Sequence, residues 1–179
     1  MMLSNERLRT VLLTTHLPLK DVPKMVKREK ILSKLRLIGR ELPGKSIGVC
    51  ALNPHGGEGG LFGREEIEEI EPAVKEAQRE GINAKGPYPS DTLFLKAVNG
   101  EFDVILSLYH DQGLIPVKLL GFGRSVNVTL GLPVVRTSVD HGTAYDIAGK
   151  GIASPESFNL AVKEAINLIK ERPLLEYKG

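Results

Sequence analysis

Short apolar runs rich in β-branched residues alternate along this chain with stretches of helical period, and most of the runs empty directly into a polar cluster. Strands separated by helices cannot be joined by tight hairpins. They pair in parallel through crossovers, and helices then cover the faces of the sheet. The expected fold class is therefore α/β, with a mostly parallel sheet flanked by helices. Residues 10–15 (TVLLTT) predict a first buried strand, and residues 23–42 an amphipathic helix that stops at Pro43 and Gly44. Residues 46–52 (SIGVCAL) predict the second strand. It runs into the loop NPHGGEGGLFG, then into a helix whose acidic first turn, Glu65 and Glu66, suits the positive end of the helix dipole. In that helix Ile67, Ile70, Val74 and Ala77 share one face, so the charge run REEIEEIE reads as its solvated side, and Gly81 stops it.

A short strand over residues 82–84, a turn GPYPSD, a helical segment TLFLKAVNG and a strand over residues 103–108 (DVILSL) follow, the last emptying into YHDQG. Residues 126–130 and 134–137 read as two more strands, punctuated by LGLP. The final element is a helix with Ser154 as N-cap and Pro155 at its first position. Its apolar positions Phe158, Val162, Ala165 and Ile169 form a stripe expected to face the core. Residues 1–179 are expected to form a single α/β unit without internal repeats.

Composition narrows function mainly by exclusion. The 24 basic and 22 acidic residues leave a net charge of +2, with no basic block or aromatic-interleaved stripe, so nucleic acid is not an expected partner. The opening MMLSNERLRT lacks the apolar core of a signal peptide, and no apolar run approaches the roughly 20 residues that span a bilayer. A soluble, cytoplasmic protein without membrane contact is expected. Cys50 stands alone in the buried-strand run IGVCAL, which rules out an intrachain disulfide and fits a reducing compartment.

Ligands of open α/β sheets gather outside the carboxyl ends of the strands, and the polar motifs fall there. His16 (TTHLP) follows the first strand, His55 (NPHGG) the second and His110 (YHDQG) the run DVILSL, while Arg136 to His141 follow PVVRTSV. Three neutral imidazoles with open coordination positions form a catalytic metal site. The residues alone offer four histidines of equal standing, and each has the alternative of a hydrogen-bonded loop residue. NPHGGEGGLFG has five glycines in eleven residues. They suit close approach of backbone N–H groups to a ligand, or a tight strand-to-helix turn with positive φ, and both readings are compatible. Without a following GK[ST] it is not a Walker loop. Lys118, Asn127 and Arg136 stand in apolar surroundings, where a buried cation needs an anion. A substrate phosphate or carboxylate would serve, as would a structural ion pair with Asp140 or Asp146. Asp91 (PYPSDT) and Asp111 (HDQG) are the carboxylates nearest the candidate site. Each is placed to orient a metal-bound imidazole or relay a proton, and Asp91 also suits a cap for a helix beginning at Thr92.

Taken in order, TTHLPL, ALNPHGGEGG, GPYPSDT, YHDQGLIPVK and VNVTLGLPVVRTSVDHGTAYDIAGKG resemble the 4-hydroxythreonine-4-phosphate dehydrogenase (PdxA) family over residues 9–169. The resemblance implies a fold like that of the isocitrate and isopropylmalate dehydrogenases, and a homodimer whose metal site is shared between partners. It places the divalent metal (Zn, Mg or Co) on His16, His55 and His110, and leaves His141 outside the ligand set. It places a phosphorylated substrate on Lys118, Asn127 and Arg136, matches Asp91 to an active-site carboxylate, and implies oxidation by NAD or NADP. The absence of GxGxxG is in keeping with that fold, which leaves residues 53–63 and 130–142 as cofactor candidates. Family members are nearly twice as long, so the chain is expected to be truncated at its N-terminus, with the apolar face of its last helix uncovered and self-association stronger than a loose dimer. The alternatives are a dehydrogenase of another four-carbon phosphorylated hydroxy acid, a non-catalytic metal- and phosphate-binding fragment completed by a partner, and a metal-dependent hydrolase active without NAD.

Overall fold

The computed structural model describes residues 1–121 and 123–171. Its strands are β1 (Met2–Ser4), β2 (Arg9–Leu12), β3 (Ile47–Cys50), β4 (Ala84–Tyr88), β5 (Val104–Ser107), β6 (Val126–Thr129) and β7 (Arg136–Val139). They form one sheet in the order β4-β3-β5-β2-β1-β6-β7. The first four in that order pair in parallel. β1 is antiparallel to both β2 and β6, and β7 is antiparallel to β6, so β6 again runs in the direction of β2. The helices are α1 (Val22–Met25), α2 (Arg28–Glu41), α3 (Glu71–Arg79), α4 (Ser90–Val98), α5 (His110–Gly121) and α6 (Glu156–Glu171).

The path β2 to β3 to β4 advances toward one edge of the sheet, and β4 to β5 to β6 returns toward the other. Right-handed crossovers then send α2 and α3 to one face and α4 and α5 to the opposite face. Packing agrees: a side chain at Gly48 would meet Leu93 of α4, and one at Gly113 of α5 would meet Leu12 and Ser107. Strand register puts Gly48, Ile105, Thr10, Leu3 and Asn127 on that same face. α6 covers the other face, where the Thr137 hydroxyl donates to the Ala161 carbonyl at 2.9 Å. Helices on both faces explain the unbroken apolar runs: Val49, Val104, Ile105, Leu106 and Val11 are wholly buried.

Several elements depart from the sequence expectation. The 23–42 helix is broken where Lys27 is extended (φ −124°, ψ 140°), which separates α1 from α2. In REEIEEIE the first turn is a π-helix (Glu66–Ile70), and its wider winding turns Glu66 inward, 3% exposed, while Ile67 points outward. Glu66 is therefore not part of a solvated face. Gly86, Pro87 and Tyr88 of the expected turn GPYPSD belong to β4. A whole helix, α5, begins within YHDQG and fills a stretch to which the sequence assigned no element. Its internal Pro116 and its glycines argue locally against helix, yet Gly113, Val117 and Gly121 are buried against the sheet and packing prevails. β7 lies two residues later than expected. On α6, Phe158 and Ile169 are each 62% exposed, and Ser157, Ala161 and Leu168 face the core instead. The helix does carry one apolar arc, but only its Ala161–Leu168 edge meets the sheet, and the Phe158, Val162, Ile166 and Ile169 part of the arc stays exposed. Tertiary anchors select that edge: besides Thr137, the Ser4 hydroxyl donates to Glu164 at 2.9 Å. Ser154 does cap the helix, accepting the Glu156 N–H at 3.3 Å. Among the described residues no helix is long and apolar enough to cross a membrane.

Candidate functional site

β2 and β5 are neighbours, but the chain leaves β2 toward α2 on one face and leaves β5 toward α5 on the other. A crevice must open between two such connections at the carboxyl end of the sheet. His16 lies just past β2 and His110 opens α5, and their rings face each other across the crevice with centroids 5.6 Å apart. The two strand ends are tied together, Leu13 N–H donating to the Ser107 carbonyl (2.8 Å) and the Thr14 hydroxyl to that of Leu108 (2.7 Å). A cavity of about 370 Å³ adjoins the rings, walled by Leu17, Leu19, Val22 and Tyr109. Asp111 Oδ1 stands 2.7 Å from His110 Nδ1. An ionised carboxylate only accepts, which puts the imidazole proton on Nδ1 and leaves the Nε2 lone pair free for a metal or a substrate proton.

Sequence reading missed Gln112, which holds this crevice in shape. Its Oε1 accepts the Leu108 N–H at 2.6 Å, and its Nε2 donates to the Ala51 carbonyl and the Ser90 hydroxyl, both at 2.8 Å. One amide thus joins the ends of β5 and β3 to the start of α4. Its partners are backbone groups distant in sequence, so the only available signal was an amide in the first turn after a strand.

His55 sits apart, on the glycine-rich loop after β3. From His55 to Gly60 every residue has positive φ, a left-handed turn that glycine adopts freely but that costs other residues about 1–2 kcal/mol each. His55 (φ 52°) and Glu58 (φ 43°) carry that strain. The turn brings Glu58 Oε1 to 3.0 Å from His55 Nδ1, again leaving Nε2 free, and sets Phe62 edge-on to the imidazole at 6.5 Å. The buried Glu66 anchors the root of the loop: Oε1 accepts the N–H groups of Leu52 and Asn53 at 2.8 Å, and Oε2 accepts the Asn53 amide at 2.9 Å. The positive φ expected of this loop is present, while side chains at Gly56 and Gly59 would meet open space. Among the described residues no three His, Cys, Asp or Glu side chains converge to hold a metal ion. One chain brings together His16, His110 and Asp111, and leaves His55 outside that group.

The remaining candidates are spread over the α5 side of the molecule. Lys118 is 53% exposed and lies 3.6 Å from Asp140, the ion pair weighed as its structural alternative. Arg136 is exposed too, its Nη1 donating to the Thr129 hydroxyl at 2.8 Å. Neither is the buried cation expected from its apolar neighbours, since both residues are exposed. Asn127 opposes Ser138 and Arg136 opposes Thr129, so Asn127 and Arg136 share the face that α5 covers, and Arg136 stands at the carboxyl end of β6. Because β7 runs backward, Val139 opposes Val126, the first residue of β6, and Asp140 and His141 leave the sheet at the end opposite the crevice. Of the fourth polar cluster, Arg136 therefore shares the strand ends of the other three, and Asp140 and His141 do not. Asp91 lies inside the first turn of α4, which starts at Ser90 and not at Thr92, so Asp91 is not its cap; its Oδ1 accepts the neighbouring Thr92 N–H at 2.9 Å.

The family model described as "Pyridoxal phosphate biosynthetic protein PdxA" matches residues 1–165. A 4-hydroxythreonine-4-phosphate dehydrogenase of Geobacter metallireducens is 53% identical over 175 residues, covering 95% of this chain and 52% of that protein. A relative from Oceanobacillus iheyensis, provisionally named as a D-threonate 4-phosphate dehydrogenase, is 49% identical over 94% of this chain and 52% of its own length. The crystal structure of 4-hydroxythreonine-4-phosphate dehydrogenase from Klebsiella pneumoniae superposes with a TM-score of 0.86 at 40% identity, covering 93% of this chain and 53% of that one. The chain spans about half the length of the curated relatives it matches. By the match of the family model across nearly all of the sequence, and by relatives near half identity, this chain belongs to the PdxA family.

Proposed function

We propose that this chain carries the metal- and substrate-binding part of a cytoplasmic dehydrogenase that oxidises 4-phosphooxy-L-threonine with NAD or NADP. The product, 2-amino-3-oxo-4-phosphooxybutanoate, loses CO2 to give 3-amino-2-oxopropyl phosphate, a step of vitamin B6 biosynthesis. The observation that carries this reading is the His16–His110 pair at the β2/β5 crevice, with Asp111 on His110 Nδ1. Two tilted imidazoles beside an open cavity, at least one with its Nε2 lone pair exposed, suit a Zn, Co or Mg ion that needs one more protein ligand. His55, already oriented by Glu58, supplies that ligand from a second copy in a homodimer. The bound metal would contribute Lewis-acid polarisation of the substrate oxygen.

The chain's own residues do the rest. Asp111 holds His110 in one tautomer. Arg136, whose described bonds go to a neutral hydroxyl, and Lys118, half open to solvent, offer a fork and a point charge to the phosphate and carboxylate, with Asn127 beside them. The C3 hydroxyl gives its proton to a base while the C3 carbon gives its hydride to the nicotinamide, and the β-keto acid then releases CO2. Asp91 and Asp111 are the carboxylates proposed for proton transfer. The dinucleotide is assigned to residues 53–63 and 130–142, where the open glycines of the left-handed turn leave room for close approach.

A second reading, favoured by the D-threonate 4-phosphate relative, changes only the four-carbon phosphorylated acid. Absorbance at 340 nm, followed with both substrates, NAD or NADP, and each metal, separates the two. The expected result is reduction with 4-phosphooxy-L-threonine that His110→Ala abolishes together with metal content. Unchanged metal stoichiometry in His110→Ala, or substrate consumption without nicotinamide, contradicts the proposal.

A further inference from the structure

A second cavity, about 460 Å³, opens at the amino end of the sheet, opposite the histidine crevice. Arg7 from the β1–β2 turn, Arg9 at the start of β2, Lys45 before β3, Arg124 before β6 and Lys163 of α6 reach its rim. Leu8, Phe102 and Val126 are buried beneath it. Much of the charge is already matched. Arg9 lies 3.6 Å from Glu164, Lys45 3.5 Å from Asp103, and Arg124 3.6 Å from Glu6 and 3.0 Å from Glu156. Asp103 is committed elsewhere as well: despite its partial burial, the Ser46 N–H and hydroxyl, each at 2.8 Å, hold its carboxyl below the usual range together with Lys45. Arg7 and Lys163 are different. Among the described residues neither side chain has an ion-pair partner.

Two uncommitted cations over an apolar floor, with the Asn167 amide on the same wall, match a doubly charged anion attached to a small apolar body. We propose that this cavity binds a phosphate monoester carrying an aromatic or aliphatic group, with the Arg7 fork and the Lys163 ammonium on the phosphate and the group against Leu8 and Phe102. A phosphate monoester carries about −1.5 to −2 charge at neutral pH, and a cavity of this size accommodates a six-membered ring with room to spare. The site is separate from the proposed substrate site, because Asn127 and Arg136 face the α5 side of the sheet and Lys163 belongs to the helix on the other side.

Isothermal titration calorimetry of the full chain with phenyl phosphate and with inorganic phosphate tests the assignment. The expected result is one saturable phenyl phosphate site per chain, at least about tenfold tighter than inorganic phosphate because the ring is buried. Arg7→Gln combined with Lys163→Gln, both exposed positions, should weaken it at least about tenfold through loss of the charge-assisted bonds, with an unchanged melting temperature. Arg136→Gln should leave it unchanged. No saturable heat up to millimolar ligand, equal affinity for both probes, an unaffected double variant, or a loss confined to Arg136→Gln would each overturn the proposal.

Discussion

Gln112 makes three hydrogen bonds that span two strand ends and a helix start. Gln112→Ala leaves the Leu108 N–H without its partner, while the Ala51 carbonyl keeps the Ser90 hydroxyl at 3.2 Å, and unfolding should become easier by roughly 1–3 kcal/mol, read as a lowered denaturant midpoint. A midpoint within error of the parent would show that the amide does not hold the crevice. Cys50 makes a second residue-scale prediction. Burial pushes its thiol from 9.0 up to about 12, against the weaker downward pull of Ser90 and Ser107. The unfolded thiol ionises from about pH 9 while the folded one stays neutral, so the folded state loses stability as pH rises from 9 toward 12. Cys50→Ala should therefore show a shallower alkaline decline, by about 1.4 kcal/mol for each pH unit in that window at most. Identical slopes would refute the burial argument. The histidines were legible in the sequence because each follows an apolar run. Gln112 and Glu66 were not, because what they bind is main chain brought near by the fold.

Among the elements, the left-handed turn after β3 joins strain to a candidate ligand. Glu58→Gly should relieve the φ 43° strain and raise stability by about 1 kcal/mol, since glycine adopts that conformation freely. The same change removes the carboxylate that orients His55, and metal affinity should fall about 10–100-fold. Stability by chemical denaturation and affinity by metal titration should thus move in opposite directions. A parallel fall in both would mean that Glu58 holds the turn together. Gly57→Ala is expected to destabilise, since φ is +81° and the new methyl would lie 2.8 Å from Glu66 Oε2. Elements whose pattern agrees with their packing, such as β3, β5 and α2, were readable to within one or two residues on most boundaries. α5 was hidden by Pro116 and its glycines. The inward face of α6 was misplaced because only one edge of its apolar arc, Ala161 and Leu168, is buried, and contacts with Ser4 and Thr137 fix that rotation.

For the whole molecule, the sheet order follows from where the crossovers go. The reversal between β4 and β5 places the β2 and β5 connections on opposite faces, and so creates the crevice that holds His16 and His110. Periodicity alone could say that the sheet was mostly parallel and covered on both faces, but not which strands are neighbours. For that reason four histidines looked equivalent in sequence, while the structure pairs two, isolates one on a strained loop and sends His141 to the far end. The central claim is that a second copy supplies His55 to the pair. Mixing His55→Ala chains with His110→Ala chains, unfolding and refolding them together, and measuring bound Co by absorbance tests it directly. If the site is shared in a two-fold dimer, neither variant alone binds, and the mixture recovers about a quarter of the parent's sites, one intact site in each mixed dimer. Recovery of none, with the parent binding fully, would contradict it.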